Sequence, residues 1–243
     1  MRTLWLALAG AAALLAGDPL PVMNDASLNA AQRNDACFAL RGNRSPEAMA
    51  AMAKALQDPR LRTCAAENLR AGGAVNALRT ALEDENPEVR ALAARALGTL
   101  QRSDMLPALA AAARDPNLLT ASNALQALSA YPEPVAQAYL GELANGGGLV
   151  GEMALERLAQ SGDALAIPIA RRLTASHNLG DILAGMRVLG EMGDRSDLPM
   201  LTEIARKETQ EVSSKARGFG LMPAISLSRA AQTAIAGIEA RRN

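Results

Sequence analysis

The sequence has few of the residues and none of the motifs from which active sites are commonly built. It contains one histidine, His177, with no second histidine or cysteine at metal-ligand spacing from it. The nucleophile elbow G-x-S-x-G, the P-loop and the dinucleotide-binding glycine motif are absent, and the glycines at 146–148 follow a helical segment rather than a strand. We therefore expect a protein that is not an enzyme and that holds no metal and no cofactor.

Aromatic residues and an excess of charge are also missing. Only 2% of the residues are aromatic, and Lys plus Arg and Asp plus Glu number 25 each. Removal of a leader containing Arg2 would leave 24 basic against 25 acidic residues, a net charge near −1. A chain without a basic excess is poorly suited to the phosphate backbone of nucleic acids. The composition favours a protein or peptide partner, and we expect a monomer.

The first 17 residues have the pattern of a secretory signal peptide. Arg2 precedes about 15 mostly apolar residues, fewer than the roughly 20 that a membrane-spanning helix needs. Asp18 stands where a bacterial lipoprotein would carry cysteine. We expect export to the bacterial periplasm or the medium, without stable membrane insertion after cleavage. The alternative is an uncleaved anchor or an apolar helix that packs on the fold. Residues 18–28 are expected to form a flexible linker.

From residue 29 onward, one helical phrase recurs with a nearly constant period. Each copy ends on a leucine, and the intervals between these marker leucines are 29, 28, 31, 30 and 31 residues. Four positions earlier stands alanine or glycine, which allows the backbone of a neighbouring helix to approach closely. The markers are Leu40, Leu69, Leu97, Leu128, Leu158 and Leu189, and the small residues are Ala36, Ala65, Ala93, Ala124, Ala154 and Gly185.

A second amphipathic segment follows each phrase after a short connection. Gly162-Asp163 and Gly193-Asp194 combine a helix terminator with an N-cap, so the two helices form a tight hairpin. A pair of helices in about 30 residues cannot bury its apolar face alone and must stack on its neighbours. The predicted fold is all-α: a right-handed α-solenoid of stacked antiparallel helix pairs, with about six to seven repeats over residues 29–243.

The connections between repeats carry a recognisable motif. The best matches are Asp58-Pro59 with Arg62, and Pro87 with Arg90, and the second of these runs into the helix pattern A-x-x-A-L-G-x-L at residues 93–100. This pattern resembles the short HEAT-like repeats first recognised in phycobilin lyase subunits. The resemblance implies a ladder of acidic and arginine side chains between repeats, in which Asn86 replaces one acid and Leu119 replaces one arginine.

The same resemblance leaves two functions open. The first is an exported, non-enzymatic scaffold that binds a protein or peptide. The alternative is an enzyme or enzyme subunit of the phycobilin lyase type. The predicted export disfavours that alternative, and so does the shortage of aromatic residues for holding a tetrapyrrole.

The two cysteines lie in consecutive phrases and differ by two positions in the common repeat frame. Two positions correspond to about 200° around a helix. Since parallel neighbours touch through opposite sides, Cys37 can face forward while Cys64 faces back. We expect a disulfide between the first two repeats; the alternative is a pair of buried free thiols.

The second helices are expected to line the concave face. Small residues near the centre of that face would form a smooth, weakly apolar groove for an extended peptide or a partner's helix. Equally, they could serve only helix packing. The solvent-facing column comprises Lys54, Thr80, Ala111, Gly141, Arg171 and Glu203, with Ala110 and Ala112 beside Ala111.

One interval departs from the period. From Leu189 to the next marker, assigned to Ile235, there are 46 residues, and the surplus falls at 208–223. This insertion carries Phe219, Leu221 and Met222 among glycine and proline, which prevent a regular helix there. These side chains are a candidate contact surface for a partner. In the alternative interpretation the insertion folds back and caps the last repeat.

The leader can be tested through Trp5, the only tryptophan of the chain. If the signal peptide is cleaved, the exported protein should show no indole fluorescence. The measurement is tryptophan emission of protein purified from the cell envelope, with the unprocessed full chain as a positive control. Tryptophan emission from the exported form would contradict cleavage.

Overall fold

The computed structural model describes residues 18–132, 134–215 and 226–241, and side chains within these ranges except at 207–215. Every regular element in the described ranges is helical, and none is a strand. The predicted all-α fold of the α-solenoid class is confirmed. The chain divides into two compact units, Met1–Tyr131 and Pro132–Asn243.

The first unit contains eight described helices, and Ser103–Met105 adds a 3₁₀ turn before the seventh. They are α1 (Pro19–Asn24), α2 (Ala30–Ala39), α3 (Pro46–Ala55), α4 (Arg62–Gly72), α5 (Val75–Ala81), α6 (Pro87–Leu100), α7 (Leu106–Ala112) and α8 (Leu118–Ser129). The repeated phrase forms α2, α4, α6 and α8, called first helices below; α3, α5 and α7 are second helices.

The second unit contains six described helices, and Arg195–Asp197 forms a 3₁₀ turn. They are α9 (Pro134–Asn145), α10 (Gly148–Gln160), α11 (Ala166–Thr174), α12 (Leu179–Met192), α13 (Leu198–Lys215) and α14 (Leu227–Ala240). Here α10, α12 and α14 are first helices, and α9, α11 and α13 are second helices.

Helix α1 corrects the prediction of a flexible linker at 18–28. Asp18 caps the helix, proline occupies its first turn, and Val22 and Met23 are fully buried. The Arg33 guanidinium on α2 donates to the carbonyl of Met23 at 2.9 Å. The segment packs because its Asp-Pro start is a helix signal and its two large apolar side chains can reach α2, so it serves as an N-terminal cap.

The repeat frame read from the sequence matches the packing. All six marker leucines are at most 2% exposed, and the five alanines of the small column are at most 1% exposed. One residue after a marker, Gly98 brings α6 against α8: a Cβ there would lie 2.9 Å from the Cα of Ala127. At Gly185 a Cβ would lie 2.6 Å from the carbonyl oxygen of Ala170. Small residues therefore set the spacing between neighbouring first helices and between a first helix and a second helix.

The last repeat needs a correction of register. Ile238 is 4% exposed and follows the buried Ala234 by four residues, whereas Ile235 is only half-buried. Gly237 packs on Gly190 as Ala127 packs on Gly98. Two isoleucines three residues apart look equivalent in the sequence. The packing against α12 selects Ile238 as the marker, because this register places Gly237 at the closest approach of the two helices.

An arginine ladder connects the repeats of the first unit. Arg33 of α2 contacts Asp58 at 2.7 Å, and Arg90 of α6 holds Asp115 through two bonds of 2.6 and 3.0 Å. Between them, Arg62 pairs with Glu88, which supplies the carboxylate where Asn86 stands in the motif. Each arginine thus reaches the acid of the following repeat.

The ladder stops where Leu119 replaces the arginine. The neighbouring Thr120 and Asn123 instead bond to backbone carbonyls of α6, Thr120 to Pro87 at 3.2 Å and Asn123 to Ala91 at 2.8 Å. These two hydrogen bonds connect α8 to α6 in place of an ion pair.

We expect the rung at Asp115 to stabilise the first unit in a pH-dependent way. The Arg90 hydrogen bond, with a further bond from the Asn117 amide, lowers the pKa of Asp115 below 3.8. A carboxyl with a lowered folded-state pKa stabilises fully above its unfolded pKa, and this stabilisation is lost as the pH falls below about 4. Asp115→Asn should therefore lower the free energy of unfolding by about 1–3 kcal/mol at neutral pH.

The measurement is urea unfolding followed by circular dichroism, at neutral pH and at about pH 3. The loss caused by Asp115→Asn should shrink at the lower pH. Asp104→Asn is the control, because the Arg102–Asp104 pair is more than half exposed and should contribute little. Equal losses for both variants, or a loss independent of pH, would contradict this role of the rung.

The predicted disulfide is present. Cys37 and Cys64 are bonded, with their Cα atoms 6.3 Å apart, and both are buried. The side-chain amide of Asn68 donates to the carbonyl oxygen of Cys37 at 2.7 Å beside the bond. The first two first helices, α2 and α4, are therefore joined by a covalent and a polar connection inside an apolar layer.

Removal of the bond should weaken mainly the N-terminal repeats. For a sequence separation of 27 residues, Cys37→Ala with Cys64→Ala should cost about 2–4 kcal/mol. Because repeats are stabilised by their neighbours, amide exchange should accelerate in α2 and α4 before it does in α10 and α12. Quantitative thiol labelling of both cysteines in unreduced, denatured protein would show that the bond does not form.

Candidate functional site

The exposed side of the second helices in the first unit, called the inner face below, is the face predicted to bind a partner. Lys54 on α3, Thr80 on α5 and Ala111 on α7 are all exposed, at equivalent positions of successive repeats. A cationic, a polar and a methyl side chain therefore follow one another along this face, without a stripe of one charge. Such a surface can accept an extended chain through a mixture of polar and apolar contacts.

The predicted smooth centre is smaller than expected. Ala110 and Ala112 are buried, so Ala111 is the one exposed residue of the alanine run. Gly141 on α9 is also buried, and a Cβ there would lie 3.6 Å from Leu165. This distance is an ordinary van der Waals contact, so Gly141 packs against the residue that precedes α11 and adds no exposed surface to the predicted binding face.

Lys54 lines a cavity of about 890 Å³ at the N-terminal end of the inner face. Ala50 and Ala51 form part of the wall, with Arg33 and Asp58 beside them. These last two are paired with each other, whereas Lys54 forms no ion pair with any residue that the structure describes. Lys54 is therefore a cation available to a ligand on this wall.

The polar groups of this wall are held in place by hydrogen bonds. Asp58 accepts from the Arg60 amide at 3.0 Å as well as from Arg33. The Arg60 amide, followed by the Arg33 guanidinium, lowers the pKa of Asp58. Gln57 donates to Asp84 at 2.5 Å, which links α3 to the loop after α5. The wall is fixed before any ligand arrives.

In the second unit the predicted residues have separate environments. Arg171 on α11 is half-buried and bonds Asp197 at 2.6 Å and Asp194 at 3.3 Å. The hydrogen bond to Asp197 raises the pKa of Arg171. Its guanidinium is occupied with holding the 3₁₀ turn before α13, so it acts first as a structural residue. Glu203 is exposed and lines a separate cavity of about 660 Å³ with Thr202.

The described residues contain no cluster of three or more His, Cys, Asp or Glu side chains that could hold a metal ion. His177 is exposed in the connection before α12. None of the helices in the described ranges is long and apolar enough to cross a membrane.

Two predicted segments lie outside the described residues. They are the leader at 1–17 and the part of the insertion that carries Phe219, Leu221 and Met222. The beginning of the insertion is helical, because α13 continues to Lys215. The polar first half of the insertion thus lengthens a helix.

The structure also shows exposed leucines that the sequence analysis did not select as contacts. They lie in the first turns of first helices and are 44–58% exposed. Counted back from the marker, Leu119 and Leu149 stand where earlier repeats have Arg60 and Glu88, so the exchange of a charge for leucine was the available signal at these two positions. These residues are Leu118 and Leu119 on α8, Leu149 on α10 and Leu179 on α12.

A search of curated proteins gave no match. Among solved structures, the complex of CpcE and CpcF of phycocyanin lyase from Nostoc sp. PCC7120 aligns at 19% identity over 90% of this chain and 93% of that one, with a TM-score of 0.43. Human deoxyhypusine hydroxylase aligns at 18% identity, over 91% and 95%, with a TM-score of 0.40. A designed armadillo repeat protein aligns at 14%, over 91% and 99%, with a TM-score of 0.34.

The family comparison is more specific. It covers α5 to α9, including the helices α6 and α8 with their close approach at Gly98. Residues 75–147 of this chain match the family described as HEAT repeats.

Proposed function

We propose that this protein is an exported, non-enzymatic repeat scaffold that binds a protein or an extended peptide along the inner face of its first unit. The supporting observation is the exposed series Lys54, Thr80 and Ala111 on successive second helices, next to the cavity around Lys54. The cavity volume falls in the range of about 300–1,000 Å³ typical of binding sites.

The distribution of polar contacts supports a binding role. On the wall of the cavity, Arg33, Asp58 and Gln57 already have partners within the chain, whereas the cation of Lys54 forms no ion pair with a described residue. A rigid wall with one unpaired charge favours a partner that carries an acidic side chain opposite Lys54. It gives no arrangement of acid, base and nucleophile for catalysis.

The proposed export receives support from the disulfide. Disulfides persist in oxidising compartments such as the periplasm, and are rare in the cytosol. The bond between Cys37 and Cys64 is compatible with such a compartment. A scaffold whose outermost repeats are covalently joined would also keep its N-terminal cavity formed at the end of the stack, where fraying is otherwise expected.

The proposal is tested by site-specific photocrosslinking in the native cell envelope. A photoreactive residue at Thr80 or Ala111 should give a covalent adduct with a defined partner. The matched control positions are Thr99 and Gln126, which are exposed on first helices of the same unit. Adducts of equal yield at all four positions, or at the controls alone, would contradict binding at the inner face.

Charge reversal should separate specific from general effects. Lys54→Glu should reduce adduct formation at Thr80 by about tenfold, as loss of one charge-assisted contact of 1.4 kcal/mol implies. Arg95→Glu, an exposed change of the same charge on α6, should have little effect. Tetrapyrrole bound to the purified protein, seen by visible absorbance, would instead favour the alternative of a phycobilin-lyase-like role.

A further inference from the structure

A second cavity of about 680 Å³ lies on the first-helix layer of the second unit, between α12 and α14. Small residues of both helices line it, including Gly190, Ala230 and Ala234, and Leu183 adds a large apolar side chain. Arg187, Glu191 and Arg229 stand at its rim and are exposed. The result is an apolar groove with a charged border, called the α12–α14 groove below.

On α14, different residues replace the two side chains that link α8 to α6 by hydrogen bonds. Counted back from the marker, Ala230 and Thr233 of α14 correspond to Thr120 and Asn123 of α8. In the first unit, both of these side chains bond to backbone carbonyls of α6. Ala230 has no polar group, and the Thr233 hydroxyl bonds to Arg229 of its own helix at 3.0 Å. At this end of the groove, neither Ala230 nor Thr233 makes the interhelix hydrogen bond of its α8 counterpart.

The other end is closed tightly. Gly237 packs on the backbone of Gly190, and the guanidinium of Arg241 donates to the carbonyl of Gly193 at 2.8 Å and to that of Gly190. These contacts fix the C-terminal ends of α12 and α14 against each other. The groove is thus a permanent feature of a fixed helix pair rather than a gap between loosely held elements.

The chain itself supplies an apolar segment at the open end. Helix α13 ends at Lys215 and Ser226 caps α14, so residues 216–225 connect the two. Ser226 also lines the groove. Four of these ten residues are large and apolar: Phe219, Leu221, Met222 and Ile225. With about 3.3 Å per extended residue, Phe219 lies within about 23 Å of Ser226 and about 13 Å of Lys215, distances comparable to the length of α14, about 21 Å.

We propose that residues 216–225 dock in the α12–α14 groove and that the apolar side chains of this segment fill it. Attachment at Ser226 gives the segment an effective concentration in the millimolar range, so a free partner at micromolar concentration would need to bind about a thousandfold more tightly to displace it. The insertion is then an intramolecular ligand that completes the last repeat.

A single tryptophan placed in the segment tests this docking. In a full-length Trp5→Phe background, Phe219→Trp is the only indole. If the segment is docked, its emission should be blue-shifted relative to the urea-unfolded protein. Iodide quenching should be about tenfold weaker than in that unfolded reference. Burial of one aromatic side chain favours the docked state by at least about tenfold, and iodide reaches the indole only in the undocked state.

Two variants obstruct the groove, and one serves as control. Ala230→Glu places a charge on the half-buried floor, and Thr233→Arg fills the groove from a position that is already exposed. Both should return emission and quenching toward the unfolded values. Gln232→Arg, exposed on α14 but outside the groove, should leave them unchanged. Thr233→Arg keeps the test valid if Ala230→Glu unfolds α14, which circular dichroism would reveal.

Three results would overturn the proposal. The first is an indole that iodide quenches equally well in the folded and unfolded protein. The second is a protected indole that neither groove variant affects. The third is an indole that becomes protected only when a partner is added, because the groove would then be empty in the free protein.

Discussion

The close backbone contact between successive first helices is the constraint on which the other interactions depend. At Gly98 a Cβ would lie 2.9 Å from the Cα of Ala127, and Gly237 meets the backbone of Gly190 in the same way. One added methyl group would force parallel helices apart by a few tenths of an ångström or more. Such a shift would lengthen the side-chain bonds that cross the same gap, because those bonds are already near their optimal length.

The acidic residue of the connection accepts both a local and a long-range hydrogen bond. Asp115 accepts from the Asn117 amide at 2.7 Å, which fixes the turn, and from Arg90 of the preceding repeat, which fixes the neighbour. Asp58 does the same with Arg60 and Arg33. Turn geometry and repeat spacing are therefore coupled through one carboxylate. This coupling explains why the acid stands directly before proline, where a helix begins.

The fold could be predicted from the sequence because its repeats are periodic. The features that were not predicted are those that the period does not determine. The marker leucines and the small column follow from spacing alone, and the disulfide follows from their frame. Three features could not be predicted from the period, because each depends on the side chains of the helix it packs against. They are the helix at 19–24, the burial of Gly141 and the register of Ile238. Glu88 as a substitute for Asn86 was also missed, since a side chain two residues later can reach the same guanidinium.

The two grooves between first helices show how a repeat fold separates structure from function. The groove between α6 and α8 has a volume of about 400 Å³ and contains the amide of Asn123, which bonds across to α6. The α12–α14 groove shares the same glycine contact but has Thr233 at the corresponding position, bonded to its own helix. The spacing of the helices is fixed by glycine and alanine in both. The α12–α14 groove is the larger of the two, so a change at positions that do not set the spacing is compatible with a larger cavity in an intact stack.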